Sequence, residues 1–194
     1  VGSVSLYGNE GNDLLYAGNV DSAYKIHLRG NDGFDTMYVW YSEAGNDIDV
    51  RGDAGNDTLW LYQSQAGDDI YVTGGVGNDS FTIWQSSAND DVNVYGGDND
   101  DNIFISNMTA EDIRAYGENG KDSVTLSDND VSDLLYASLG SGDDWVSVKG
   151  NTAGRGIFKG GSGYDVMHEL SISPFGMNDF ASGRTIDGFE SYGL

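Results

Sequence analysis

Across 194 residues the chain has no cysteine, one proline, and only nine lysines and arginines. The missing cysteines exclude disulfides and thiolate metal sites. The shortage of cations excludes nucleic acid and anionic membrane surfaces as partners, since both require a basic face. No apolar run approaches the ~18 residues needed to span a bilayer, which excludes insertion as a helix. Proline this scarce, with 29 glycines and 12% aromatics, lies outside the composition of a disordered segment. The chain opens on Val1 inside a repeat, without an initiator methionine, charged leader or cleavage site, and reads as a piece of a longer protein.

What is present is acid, glycine and a period. Thirty-two acidic residues give a net charge of −23. Many of them recur at fixed positions instead of gathering in a tail, which favours bound cations over general solubility. Asp13, Asp35, Asp57, Asp79 and Asp101 stand 22 residues apart, and Asp122, Asp144 and Asp165 follow at 21, 22 and 21. Each closes a turn-like hexapeptide, such as GNEGND (8–13), GDAGND (52–57), GGVGND (74–79) and GGSGYD (160–165). A fixed period near 20 residues is the signature of a solenoid.

Each 22-residue unit divides into halves in which apolar residues alternate. Ile26/Leu28, Ile48/Val50 and Ile70/Val72 exemplify one half, and Met37/Val39, Leu59/Leu61 and Phe81/Ile83 the other. Period-two alternation means strands with one face buried, and glycine turns every eleven residues would stop a helix. The expected fold is all-β: a right-handed parallel β-solenoid of the β-roll kind, with about eight two-strand coils. The period slips by one residue near 109–113 and near 156–160, where a bulge or shortened turn is expected. After Leu170 the pattern fails, so residues 1–170 form the solenoid. Residues 171–194 are either a cap or the start of further structure.

GDAGNDTLW (52–60) and GGVGNDSFT (74–82) fit the nonapeptide G-G-x-G-x-D-x-U-x. Related copies begin at Gly8, Gly30, Gly117 and Gly160, with weaker ones at 96–104 and 139–147. On these motifs, which cover about residues 1–170, the chain resembles the RTX, or haemolysin-type, calcium-binding repeat family. The resemblance implies a parallel β-roll in which turn carbonyls and an aspartate hold Ca²⁺ between neighbouring coils. It carries over to Asp13, Asp35, Asp57, Asp79, Asp101, Asp122, Asp144 and Asp165 as a row binding multiple calcium ions. The carbonyl donors would be Gly8, Gly30, Gly52, Gly74, Gly96 and Gly117. This agrees with the residue chemistry, because glycine allows φ > 0 in a turn and a hard cation wants six to eight oxygens. The coil departs from the family in length, 22 residues instead of about 18. Its alternate turns, SEAGND (42–47), SQAGDD (64–69) and SSANDD (86–91), replace the leading glycine with serine. Asp47, Asp69 and Asp91 form a possible second row.

The bland alternative is that these are simply good turn formers, with each aspartate bonding its own backbone. Repulsion argues otherwise, since carboxylates ~5 Å apart repel by roughly 0.8 kcal/mol per neighbour even in water. Outward columns supply a second candidate surface. Tyr16, Tyr38 and Trp60 fall in one column, and Trp40, Tyr62 and Trp84 in the next. Such a patch suits a glycan, a partner protein or a second copy of the rod, and it equally suits plain cross-strand stabilisation. Ice binding would need regular threonine rows, which the rings interrupt. Lys25, His27, Arg29 and Arg51 cluster near Asp47 and Asp49, where a polysaccharide lyase or epimerase would hold its catalytic groups. Ion pairing on a solvated face explains that cluster more simply.

The expected function is a calcium-binding structural module of a secreted or cell-surface protein, not an enzyme, that folds and stiffens in the ion. A glycan- or partner-binding adhesin domain is the alternative, and a lyase- or epimerase-type module a distant third.

Overall fold

A computed structural model describes residues 1–170, 179–180 and 184–193. Among these the chain is all-β, with no helix, and winds as a parallel solenoid of about eight stacked coils. Each coil begins with a long strand, such as Ile26–Asp32, Ile48–Ala54 or Ile70–Val76. The Gly–Asp turn follows, and then a five-residue strand such as Thr36–Trp40, Thr58–Tyr62 or Ser80–Trp84. The expected two-strand coil is incomplete, because a short third strand (Glu43–Ala44, Gln65–Ala66, Ser87–Ala88) bridges the second corner.

All pairings are parallel and in register with the repeat. Ile26 pairs Ile48, which pairs Ile70, while Tyr38 pairs Trp60 and Trp60 pairs Thr82. The five-residue strands, with Ser191–Gly193 at the end, stack into one sheet of nine, and the long and short strands form the other.

Inward residues meet between the sheets as columns. Ile26, Leu28, Met37, Val39, Ile48, Ile70, Ile83 and Ile103 are wholly buried. Each such side chain contributes about 1.5–3 kcal/mol on burial. At the second corner the core narrows, and the inward residues there are mostly alanine: Ala44, Ala66, Ala88, Ala110 and Ala153. Val4 and Leu6 lie in the first coil, covered on one side only, and are half-buried.

Both slips in the period are local. The first removes a residue at the second corner, since Ser87 pairs Thr109 but Asp91 pairs Asp112. The next coil carries an irregularity between Ala110 and Asp112. The second slip lies earlier than expected, between the pairings Asp130–Thr152 and Leu134–Arg155, not at 156–160. Corners absorb these changes because a residue lost inside a strand would flip every later side chain to the other face.

The alternative left open for 171–194 lies partly outside the described residues, as do 171–178 with Pro174. The described residues beyond them add further parallel rungs. Asp179–Phe180 pairs Thr152–Ala153, Gly156–Lys159 pairs Arg184–Asp187, and Val166–His168 pairs Ser191–Gly193.

Candidate metal centre

The Gly–Asp turn is built from three backbone demands. Its second residue sits at positive φ (Asn9 75°, Asn31 75°, Asp53 77°, Gly75 119°), and so does its fourth (Gly11 110°, Gly33 141°, Gly55 136°). Asparagine, aspartate and glycine are the residues that accept such backbone most readily. The leading glycine answers a different need from the one expected, because Gly8, Gly30, Gly52, Gly74, Gly96 and Gly117 do not adopt positive φ. They are glycine for lack of space. A Cβ on Gly8 would stand 2.8 Å from Asp13 Oδ2 and 2.7 Å from the Gly30 carbonyl oxygen. On Gly52 or Gly74 it would collide with Oδ2 of Asp57 or Asp79 and lie 2.7 Å from the next coil's glycine carbonyl. The carbonyls of Gly30, Gly52, Gly74, Gly96 and Gly117 thus border one cleft with the aspartates. Leu139 and Gly188 supply the corresponding oxygen for the sixth and eighth turns.

The aspartates of the main row form a continuous ladder. The backbone N–H of Asp13 donates to Asp35 Oδ1 at 2.8 Å, Asp35 to Asp57 at 2.8 Å, Asp57 to Asp79 at 2.7 Å and Asp79 to Asp101 at 2.7 Å. Asp101, Asp122 and Asp144 continue it to Asp165. There the N–H of Asp165 donates to Glu190 Oε2 at 2.6 Å, so glutamate closes the row 25 residues later.

Oδ1 is therefore satisfied, and Oδ2 is not. In all eight aspartates Oδ2 is buried without a hydrogen-bond partner. Seven of these residues, Asp35 to Asp165, are at most 3% exposed. Burial pushes their carboxyls up from 3.8, against the lowering effect of the backbone N–H. Asp57 and Asp144 rise to about 6, Asp79 and Asp122 to about 7, and Asp101 to about 8. An unpaired buried carboxylate oxygen is costly unless a proton or a cation reaches it.

Asp47, Asp69 and Asp91, the possible second row, are arranged differently. They are half-buried and meet polar or cationic side chains. Tyr71 donates to Asp69 at 2.9 Å, Arg114 to Asp91 at 2.5 Å, and Lys25 approaches Asp47 at 4.0 Å. The only rung between them runs from Asp91 N–H to Asp69 Oδ1 at 2.9 Å, opposite in direction to the main row.

The second corner carries a ladder that sequence reasoning missed. The N–H of Val20 donates to Ser42 Oγ at 3.1 Å, Ser42 to Ser64 at 3.2 Å and Ser64 to Ser86 at 3.1 Å. Asparagine then takes over, with Met108 N–H donating to Asn129 at 3.0 Å and Asn129 to Asn151 at 3.1 Å. The available signal was the recurrence of serine at 42, 64 and 86, which reads only as a lost glycine until the coils are stacked.

The basic cluster resolves into ion pairs. Asp49, 2% exposed, accepts bonds from Arg51 at 2.8 and 2.9 Å and lies 2.8 Å from Lys25 Nζ and 3.3 Å from His27 Nδ1. Burial alone would raise Asp49, but the bonds from Arg51 and Lys25 outweigh it and hold its carboxyl below the usual range. Burial likewise lowers His27. Arg29 is held by Asp53 at 2.5 and 3.1 Å.

The aromatic columns stand as expected. Tyr16, Tyr38 and Trp60 share one register and Trp40, Tyr62 and Trp84 the next. Among the described residues, no three of histidine, cysteine, aspartate and glutamate gather into a group able to hold a metal by side chains alone. A metal at the Gly–Asp corner would therefore depend on backbone carbonyls. No family model, curated protein or solved structure matches this chain.

Proposed function

We propose that the Gly–Asp corner is a stacked calcium site, and that the chain is a calcium-dependent structural module of a secreted or surface protein. The observation that carries this reading is the row of eight buried, unpartnered Oδ2 atoms set against glycine carbonyls. Left ionised and bare, such a row opposes its own stacking, because each carboxylate sits one coil from the next in a poorly solvated cleft. The donors are all oxygen and many are carbonyls, which suits calcium with its six to eight ligands better than the strict octahedron of magnesium.

Asp13 through Asp165 would hold the ions through Oδ2, with the carbonyls of Gly30, Gly52, Gly74, Gly96 and Gly117. Bound calcium supplies positive charge between successive coils. The chain's own residues do the rest: the N–H ladder fixes each carboxylate through Oδ1, and the leading glycines keep the cleft clear of side chains. Because a stacked site does not exist in the unfolded chain, binding free energy is folding free energy. Extracellular modules bind calcium with Kd of about 10⁻⁴–10⁻³ M, so such a segment stays loose where calcium is scarce and stiffens outside the cell.

A proton is the rival occupant, favoured by the upward displacement of the same carboxyls. Circular dichroism in excess EGTA at pH 8, then in millimolar calcium, tests the proposal. The strand signal is expected to be weak in chelator and to recover on adding calcium, with several ions per chain by titration calorimetry. A strand signal indifferent to EGTA at pH 8 sinks it.

A further inference from the structure

The sheet of five-residue strands has a property at odds with the rest of the chain. Its first six strands, Leu14–Gly18, Thr36–Trp40, Thr58–Tyr62, Ser80–Trp84, Asn102–Ser106 and Ser123–Ser127, contain no charged residue. The molecule nevertheless carries a net charge of −23. Random placement would not keep acids off six successive strands, and burial does not explain it, since alternate residues of these strands point outward.

Those outward residues form three columns. Thr36, Thr58, Ser80, Asn102 and Ser123 line the first and present hydroxyl and amide groups. The other two carry the rings. Tyr38 lies near parallel on Trp60 at 6.3 Å and 29°, and Tyr62 against Trp84 at 5.0 Å and 32°. Trp40 meets Tyr38 of the other column and Tyr62 of its own edge to face. Two adjoining hollows result. One, of about 480 Å³, lies between Leu14, Tyr16, Tyr38, Trp40 and Trp60. The other, of about 240 Å³, shares Trp40 and Trp60 and reaches Tyr62, Thr82 and Trp84. Trp40 lines both hollows, and its indole N–H is buried and has no hydrogen-bond partner.

We propose that this face binds an uncharged polysaccharide, an extended hexopyranose polymer lying across the coils. Sugar rings offer apolar C–H faces to aromatic side chains and hydroxyls at their edges. The ring columns and the hydroxyl column supply the matching surfaces. Charge selects the class of polymer. A uronate or sulfated chain would find no lysine or arginine among these six strands and would meet the field of an acidic protein. A second copy of the rod, still net acidic even with a divalent ion in each of the eight Gly–Asp turns, would set like charge against the first. A neutral polymer meets neither obstacle.

The test is depletion of the calcium-saturated, folded chain from solution by microcrystalline cellulose and chitin. Affinity electrophoresis in mannan and hydroxyethylcellulose gels, and polygalacturonate as the anionic control, complete it. Binding to at least one neutral polymer is expected, with no change between low and high salt, because no ion pair is involved. Trp60 and Trp84 are 37% and 40% exposed, so replacing both by alanine should leave the strand signal unchanged. That double variant should bind about tenfold more weakly or worse, while Trp60→Tyr retains most of the affinity. The idea is overturned if every neutral polymer fails, or if polygalacturonate binds as well as they do. It is equally overturned if the double variant binds normally, or if sedimentation shows the wild-type chain dimerising through these rings.

Discussion

At one corner of the coil Ser42, Ser64 and Ser86, then Asn129 and Asn151, accept a backbone N–H from the coil before and have hydrogens to give in return. Ser42 Oγ donates to the Trp40 carbonyl at 2.9 Å, and Asn151 Nδ2 to those of Leu126 and Lys149 at 2.9 and 3.1 Å. At the other corner Asp35 through Asp165 accept the same kind of N–H through Oδ1, and their second oxygen faces carbonyls with nothing to give. One backbone arrangement, an N–H rung between coils, is served by a donor-bearing side chain on one side and an acceptor-only side chain on the other. The serine–asparagine corner is complete from the chain's own atoms. The Gly–Asp corner leaves a row of carboxylate oxygens bare, and that asymmetry is the physical basis for proposing calcium at one corner alone.

Exchanging the two chemistries should produce the largest effects. Asn129→Asp removes two donations, to the Ile105 carbonyl at 3.2 Å and to Asn151 Oδ1 at 2.8 Å, and sets a carboxylate against both oxygens. We expect a loss of about 3 kcal/mol or more in calcium-saturated protein, read from urea unfolding. The reverse change, Asp79→Asn, should make the metal-free chain more stable while weakening its response to calcium. A metal-free variant less stable than wild type would mean that the bare carboxylate oxygen is not what weakens the metal-free chain.

Position along the stack comes next. Asp79 Oδ1 accepts the Asp57 N–H, and its coil has neighbours on both sides, whereas Asp13 lies in the first coil. Asp79→Ala should therefore shift the calcium midpoint of folding well beyond Asp13→Ala, by the added cost of an orphaned buried N–H, about 1–3 kcal/mol. Equal shifts for the two variants would count against ions shared between coils.

Acid sharpens the comparison without changing a residue. Asp79 and Asp101 titrate at about 7 and about 8 in the metal-free fold, against 3.8 unfolded. The folded form holds those protons more tightly, so their stabilisation is complete below 3.8 and is lost progressively as pH rises from there through about 7 and about 8. In EGTA the strand signal or Tm should accordingly rise as pH falls from 8 to 5, the proton standing in for the metal. A chelated chain that loses structure over that interval would show that burial does not govern these carboxyls.

The smallest effect belongs to the self-sufficient corner. Ser64→Ala removes the acceptor of the Ser42 N–H and a donation to the Tyr62 carbonyl at 3.0 Å. It should cost about 1–2 kcal/mol in thermal or urea unfolding and leave calcium stoichiometry unchanged. A drop in the number of ions bound would place a metal at this corner after all.

Much of this molecule was legible in one dimension because a solenoid translates sequence period directly into space. Twenty-two residues separate Tyr38 from Trp60 and Asp57 from Asp79, and stacking turns those intervals into neighbours. Alternation in Ile26/Leu28 and Met37/Val39 likewise named the core, since period two can bury only one face of a strand. Less legible was anything that depends on what the neighbouring coil presents. The leading glycines looked like residues chosen for positive φ, yet the reason for them is an aspartate oxygen five residues on and a carbonyl one coil away. Glu190 gave no signal at all, because it joins the ladder 25 residues after Asp165 with a longer side chain.

The sequence by itself determined the period, the parallel all-β coil, the inward columns, the placement of an acid in every Gly–Asp turn and the grouping of rings. These follow from local backbone preference and from the free energy of burying apolar side chains. Only the tertiary structure decided that Oδ1 is spent on a backbone N–H while Oδ2 is left bare, and that serine and asparagine complete the opposite corner. It alone left the Trp40 indole N–H buried and unpaired. A hydrogen bond depends on angles and on tenths of an ångström between atoms some twenty residues apart in the chain, and no spacing of letters carries that information.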